Sequence, residues 1–387
     1  MDCSYLDNSA TTPVYPEVAD LMKTVMVEAF GNPSSLHGKG REAERLLNQA
    51  RERVARVLGT NSRDIIFTSG GTEASNLAIK GAARAYRKRG SHLVTTRIEH
   101  PATLRAVEEL EAEGFVVTYL GVDGEGMVAP ADLEAAITDE TILVSTMYVN
   151  HEVGAIQPLG EFSRILKSRG RRPFWHVDGV QAFAKLEVEP YKLGIDLFSL
   201  SAHKIHGPKG AGALFVREGV RLKPLLVGGG QEAGIRSGTE NMPGISGLGL
   251  AAEICWEKSR EGMNHLADLK QFMIERVLED IPDAQVNGPG DKRAAPYITN
   301  FRFKGIKGEV LVHALEEHGI YVSTGSACSS RQHQASYVLE AMGVPDREAE
   351  GAIRVSFSTL TGREDVERIV AALPGEIKEL RKFSRVR

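Results

Sequence analysis

Between residues 65 and 216 the hydrophobic period of the chain switches back and forth. Short apolar runs fall at 65–68, 92–95, 116–120, 142–146, 174–177, 197–200 and 211–216. Amphipathic stretches lie between the earlier ones at 73–89, 102–113, 130–137 and 159–168, two of them closed by Gly90 and Gly114. Runs that are short and apolar on both sides read as strands buried on both faces. Their alternation with helices predicts an α/β fold with a mostly parallel sheet flanked by helices.

Upstream, residues 5–13 read as a short extended segment. A helix starts at Pro16 and stops before Gly31, and a long charged helix ends at Leu58 with Gly59 as its stop. Downstream the alternation breaks. A long helical region at 245–281 is followed by strands at 298–303, 321–322 and 352–356 and helices at 308–318, 336–342 and 364–383, an α+β arrangement. The expected organisation is a large domain at 14–255 and a smaller α+β domain made of 1–13 and 256–387.

With 42% hydrophobic and 25% charged residues, the composition is that of an ordinary globular protein. A net charge of −4 argues against a protein given over to nucleic-acid binding. No secretory pattern opens the chain and no apolar run approaches a membrane span, so a cytoplasmic protein without membrane contact is expected. Cys3, Cys255 and Cys328 lack the spacing of a metal site or a disulfide framework.

The chemistry begins at Ser201-Ala-His-Lys204, just beyond an apolar run. An amine at a strand end, backed by apolar surface, can lose its proton and form an imine with an aldehyde. Asp178 ends another run, at Trp175-His-Val-Asp178. A lysine for the aldehyde and an aspartate for a pyridinium nitrogen are the least a protein needs to use pyridoxal 5'-phosphate. Ser69-Gly-Gly-Thr-Glu73 then gains meaning. Its glycines let backbone approach an anion, and the following helix start with the Thr72 hydroxyl offers donors. A tight turn capped by Thr72 is the plainer reading of that stretch, as a helix cap is of Asp178. Gln181 is placed to donate to a ring oxygen, and His100 to stack on a flat ring and shuttle protons. Cys328 lies among small polar residues in Ser323-Thr-Gly-Ser-Ala-Cys-Ser-Ser330, which suggests an exposed nucleophile, whereas Cys255 reads as core and Cys3 as incidental. Arg354, inside an apolar strand, needs an anion: a substrate carboxylate or a buried ion-pair partner.

These stretches, together with Tyr5-Leu-Asp-Asn-Ser-Ala-Thr-Thr-Pro13, Gly31-Asn-Pro-Ser-Ser-Leu-His37, Val149-Asn-His-Glu-Val-Gly154, Gly228-Gly-Gly-Gln-Glu232 and Arg236-Ser-Gly-Thr239, resemble the NifS/IscS class of cysteine desulfurases over nearly the whole length. The resemblance implies fold type I of the pyridoxal-phosphate enzymes, a homodimer, and conversion of L-cysteine to L-alanine with a persulfide left on the enzyme. By motif position, Lys204 binds the cofactor, Asp178 faces its nitrogen and His100 stacks on the ring. Asn150 and Gln181 contact the ring oxygen or the substrate. Gly71, Thr72, Ser201 and His203 hold the phosphate, joined by Thr239 of the partner subunit. Arg354 takes the substrate carboxylate and Cys328 attacks the sulfur, on a long polar loop (323–335) expected to carry sulfur outward. No metal is expected beyond an iron–sulfur contact through Cys328. The chain stops at Arg387, soon after its last helix, without the longer extension of enzymes that serve the iron–sulfur scaffold. A tRNA-thiolation or other sulfurtransferase therefore competes as the acceptor. The alternatives are a selenocysteine lyase and a non-catalytic sulfur-transfer scaffold.

Overall fold

The computed structural model describes residues 3–325 and 336–384. Among the described residues, twelve strands form three sheets: β1 (Ser4–Tyr5), β2 (Ile65–Thr68), β3 (His92–Thr96), β4 (Val116–Leu120), β5 (Thr141–Met147), β6 (Phe174–Asp178), β7 (Leu197–Ser201), β8 (Gly212–Val216), β9 (Ala284–Asn287), β10 (Ile298–Phe303), β11 (Ile320–Tyr321) and β12 (Ala352–Ser356). The large sheet has the order β2-β8-β7-β6-β5-β3-β4, parallel except that β8 runs against both its neighbours.

Side chains alternate across this sheet as strand geometry requires. Phe198 and Leu200 join a core with Trp175, Val177 and the helices Gly38–Leu58 and Met242–Asp280. Leu197, on the same strand, turns to the other face, where Leu93, Leu143 and the helices Gly71–Tyr86 and Pro101–Ala112 pack. Burying a Phe or Leu of this kind contributes roughly 1.5–3 kcal/mol. Both faces are thus covered, which is why the strands carry no polar alternation. Gly179, directly after β6, shows how tight the layer is: a Cβ there would lie 1.8 Å from Cζ of Phe198.

The C-terminal part builds a separate core on the antiparallel sheet β12-β10-β9, with Phe301, Ile353, Leu311 and Ile369 at its centre. The chain start returns to it, since β1 pairs in parallel with β11 and Asp7 bridges to Ser356. The 39-residue helix Met242–Asp280 contributes to both cores, through Leu248 and Cys255 to one and Leu269 and Met273 to the other. No helix among the described residues is long and apolar enough to cross a membrane.

Candidate active site

The C-terminal ends of the parallel strands converge on a cavity of about 1290 Å³, the position where open α/β sheets bind ligands. β6 ends at Asp178, β7 delivers Ser201 and, one turn on, His203 and Lys204, and His100 follows β3. Gly71 and Thr72 come from the helix Gly71–Tyr86, Gln181 from the turn after β6, and Arg354 from β12. The structure therefore brings together, in one cavity, nine residues singled out in the sequence.

Lys204 reaches the N-terminal segment, where its Nζ donates to the carbonyls of Ser9 and Ala10, the latter at 2.7 Å. The same segment receives Gln181, whose Nε2 donates to Ser9 O at 3.0 Å, and His203, whose Nδ1 lies 3.2 Å from Thr11 Oγ1. Residues 9–11 thus form a wall of the site.

Asp178 is buried, and burial pushes its carboxyl up to about 6 against the pull of the Val180 N–H and the Lys204 charge. Its Oδ1 accepts from Val180 N at 3.0 Å, so it does cap the turn that follows. His100 caps the helix Pro101–Ala112 through Nδ1, which accepts from Ala102 N at 3.1 Å. Burial, and then the Lys204 charge, lowers His100 to about 4, so near neutrality its ring is uncharged and its hydrogen sits on Nε2. His203 is lowered to about 4 in the same way. Thr72, by contrast, is not a cap, because the helix begins at Gly71 with Gly70 before it.

Arg354 has the buried ion-pair partner that one sequence reading asked for, and it also lines the cavity. Its Nη2 donates to Asp7 Oδ1 at 2.7 Å and its Nη1 to His151 O at 2.9 Å, yet it lines the cavity and its buried Nε has no partner. Two expected residues stand elsewhere. The Asn150 side chain is fully buried outside the lining. Its Oδ1 accepts from the N–H groups of Glu152 and Val153, and its Nδ2 donates to Ile98 O. Thr239 is exposed and does not line this chain's cavity. Cys328 lies outside the described residues.

Sequence reasoning gave no separate role to His151 and Glu152, which line the same cavity, or to Glu99, which is buried beside it. Burial raises Glu99 to about 8 and Glu152 to about 7, and lowers His151 well below its ordinary value. The only available signal was their position beside His100 and Asn150, and a charged residue in a strand-end turn does not declare that it is buried.

Several observations test whether pyridoxal phosphate fits. Ser201 Oγ is buried without a hydrogen-bond partner, a costly state that an incoming phosphate oxygen relieves. Gly71 carries the first free N–H groups of its helix and packs so closely that a Cβ would lie 2.7 Å from Val180 Cγ2. Asp178, raised by burial, awaits a cation. Orphaned polar atoms on Ser201, Arg354, His151 and Glu152 all belong to residues that line the same cavity. The residues present fit the cofactor, while no cluster of metal ligands occurs among the described residues.

Comparison with known proteins agrees with that chemistry. Residues 4–369 match the family described as Aminotransferase class-V, and the chain belongs to this family of pyridoxal-phosphate enzymes. It is 45% identical over 381 residues to cysteine desulfurase IscS of Clostridium botulinum, covering 98% of this chain and 96% of the relative. Against the protein of the same name from Methanosarcina thermophila it is 46% identical over 380 residues, covering 98% and 93%. A solved structure titled NifS-like protein superposes with a TM-score of 0.92 at 39% identity, covering 98% of this chain and all of that one. The fold is that of the fold type I enzymes, and the function is that of a cysteine desulfurase.

Proposed function

We propose that the protein converts L-cysteine to L-alanine, takes the sulfur onto Cys328 as a persulfide, and passes it to an acceptor protein. The observation that carries this reading is the placement of Lys204, Asp178, His100 and Arg354 around one cavity. The reaction needs no outside oxidant. The substrate C–S bond breaks and an S–S bond to Cys328 forms, so sulfur is oxidised while the substrate β-carbon is reduced. The proton lost from the Cys328 thiol is matched by the one gained at the alanine methyl.

Pyridoxal phosphate, when bound, supplies a sink for the electron pair left at the substrate α-carbon. Gly71, Thr72, Ser201 and His203 would hold its phosphate, and Asp178 would keep a negative charge at its ring nitrogen. Lys204 anchors it and then moves the proton at the substrate α-carbon. His100, uncharged, covers the ring face and presents an Nε2–H donor. Gln181, fixed by its bond to Ser9, would contact the ring oxygen. Asn150 acts through the backbone turn that it braces. Arg354, already fixed by Asp7 and the His151 carbonyl, orients the substrate carboxylate.

The exposure of Thr239 supports a homodimer in which each copy of this residue completes the other's phosphate site. The two cores, one on the large sheet and one on the small, support the division into residues 14–255 and 1–13 with 256–387. The acceptor is an iron–sulfur scaffold or a tRNA sulfurtransferase, in the cytoplasm, with no direct nucleic-acid or membrane contact. Reduction of the holoenzyme with borohydride, followed by peptide mass mapping, tests the anchor. A cofactor-sized mass gain on the Lys204 peptide is expected, and a gain on any other lysine would refute the assignment.

A further inference from the structure

Glu152 has no role in the chemistry above, yet it is buried and lines the cavity. Its Oε2 accepts a 2.5 Å hydrogen bond from Ser336 Oγ. That hydroxyl in turn caps the helix Tyr337–Ala341 by accepting from Leu339 N at 3.1 Å. The same carboxylate oxygen faces Gly325, where a Cβ would lie 3.2 Å from it and where φ is +86°. Gly325 is fixed from its other side through Ser323, whose Oγ accepts from Gly325 N and whose backbone pairs with Arg354. Behind, the Glu152 backbone is held by Asn150 Oδ1 and by Asn300 Nδ2. Gly325 and Ser336 are the residues on either side of the ten positions, 326–335, that include Cys328.

We propose that Glu152 is a positioning residue for sulfur transfer: its carboxyl group ties Ser336, one flank of the Cys328 segment, to the floor that carries His151 and Arg354, and packs against Gly325, the other flank. The inference rests on the desulfurase reading for its purpose, but its geometry does not depend on that reading. Burial raises the group to about 7, with Ser336 and Arg354 pulling the other way, and its ionised and protonated forms both keep an oxygen that accepts from Ser336. A neutral amide at this position keeps an acceptor for Ser336, whereas a methyl group does not.

The test compares holoenzyme of the wild type, E152Q, E152A and S336A by brief tryptic digestion and by single turnover with L-cysteine. Trypsin cleaves after Arg331, inside the segment. Loss of the anchoring hydrogen bond is expected to speed that cleavage about tenfold in E152A and S336A. In the same two variants alanine formation should slow about tenfold or more, with bound cofactor and KM unchanged. E152Q should stay within about threefold of wild type in both readings. Equal cleavage in all four proteins, or E152Q as impaired as E152A, would overturn the proposal. A general loss of cofactor and of thermal stability in E152A and S336A, with cleavage rising everywhere, would also overturn it in favour of a purely structural role. Should the wild type form no alanine, the desulfurase reading falls while the digestion still decides the anchor.

Discussion

Replacing Asp178 by Asn should stabilise the cofactor-free protein at neutral pH while weakening the cofactor site. Burial lifts the Asp178 carboxyl from an ordinary 3.8 to about 6. At 1.36 kcal/mol for each factor of ten, ionising it in the folded, cofactor-free chain costs about 3 kcal/mol more than in the unfolded chain. Because the folded value is the higher one, the stability this group contributes is complete below 3.8 and is lost as pH rises through about 6. The Asn variant escapes that loss, and its amide oxygen keeps the bond from Val180 N–H that Oδ1 makes now. The expected gain over wild type is about 3 kcal/mol at pH 7.5 and less than about 1 kcal/mol at pH 4. For a chain of this length that gain is about 4 °C in Tm. Melting curves of both stripped proteins at the two pH values measure it, and the effects of other carboxyl groups cancel between variants. Cofactor titration of the same samples should show affinity reduced about 10- to 100-fold, from loss of a charged hydrogen-bond partner. A variant less stable than wild type at pH 7.5, or a gain that ignores pH, would refute the argument that burial raises the Asp178 carboxyl.

Ser201→Ala removes a buried hydroxyl with no partner in the protein. Denaturant melts of the stripped variant should match wild type within about 1 kcal/mol, while cofactor affinity falls about tenfold. Asn150→Ala leaves the N–H groups of Glu152 and Val153 without their acceptor. It should cost about 1–3 kcal/mol in melting experiments and leave the cofactor absorbance of the folded fraction intact; displaced cofactor at unchanged stability would restore a ring contact to Asn150. Cys328→Ala should keep the cofactor colour and lose persulfide formation, and loss of colour would break the division of labour between Lys204 and the thiol.

The large sheet was legible because its strands, the edge strand β4 apart, are buried on both faces, so apolar runs such as 142–146 and 197–200 had no competing pattern. Strand β9 was not legible: Ala284–Asn287 has half-exposed positions and no run of apolar residues. Nor was the pairing of β1 with β11, two residues each, which is fixed by distant packing. In the site, residues at strand ends could be read because their chemistry is unusual for their setting, as with Lys204, Asp178 and Arg354. Glu99, His151 and Glu152 could not, because burial of a charged side chain depends on what the rest of the chain places around it. For Arg354 the sequence posed a choice between substrate and ion pair that the fold does not require, since Asp7 holds one edge of the guanidinium and leaves Nε without a partner.

Single turnover of the purified holoenzyme with L-cysteine, without reductant, tests the account most directly. Intact mass, peptide mapping and alanine analysis are read from one sample. The account predicts alanine together with a gain of sulfur that maps to Cys328. Bound cofactor with neither alanine nor added sulfur would contradict it.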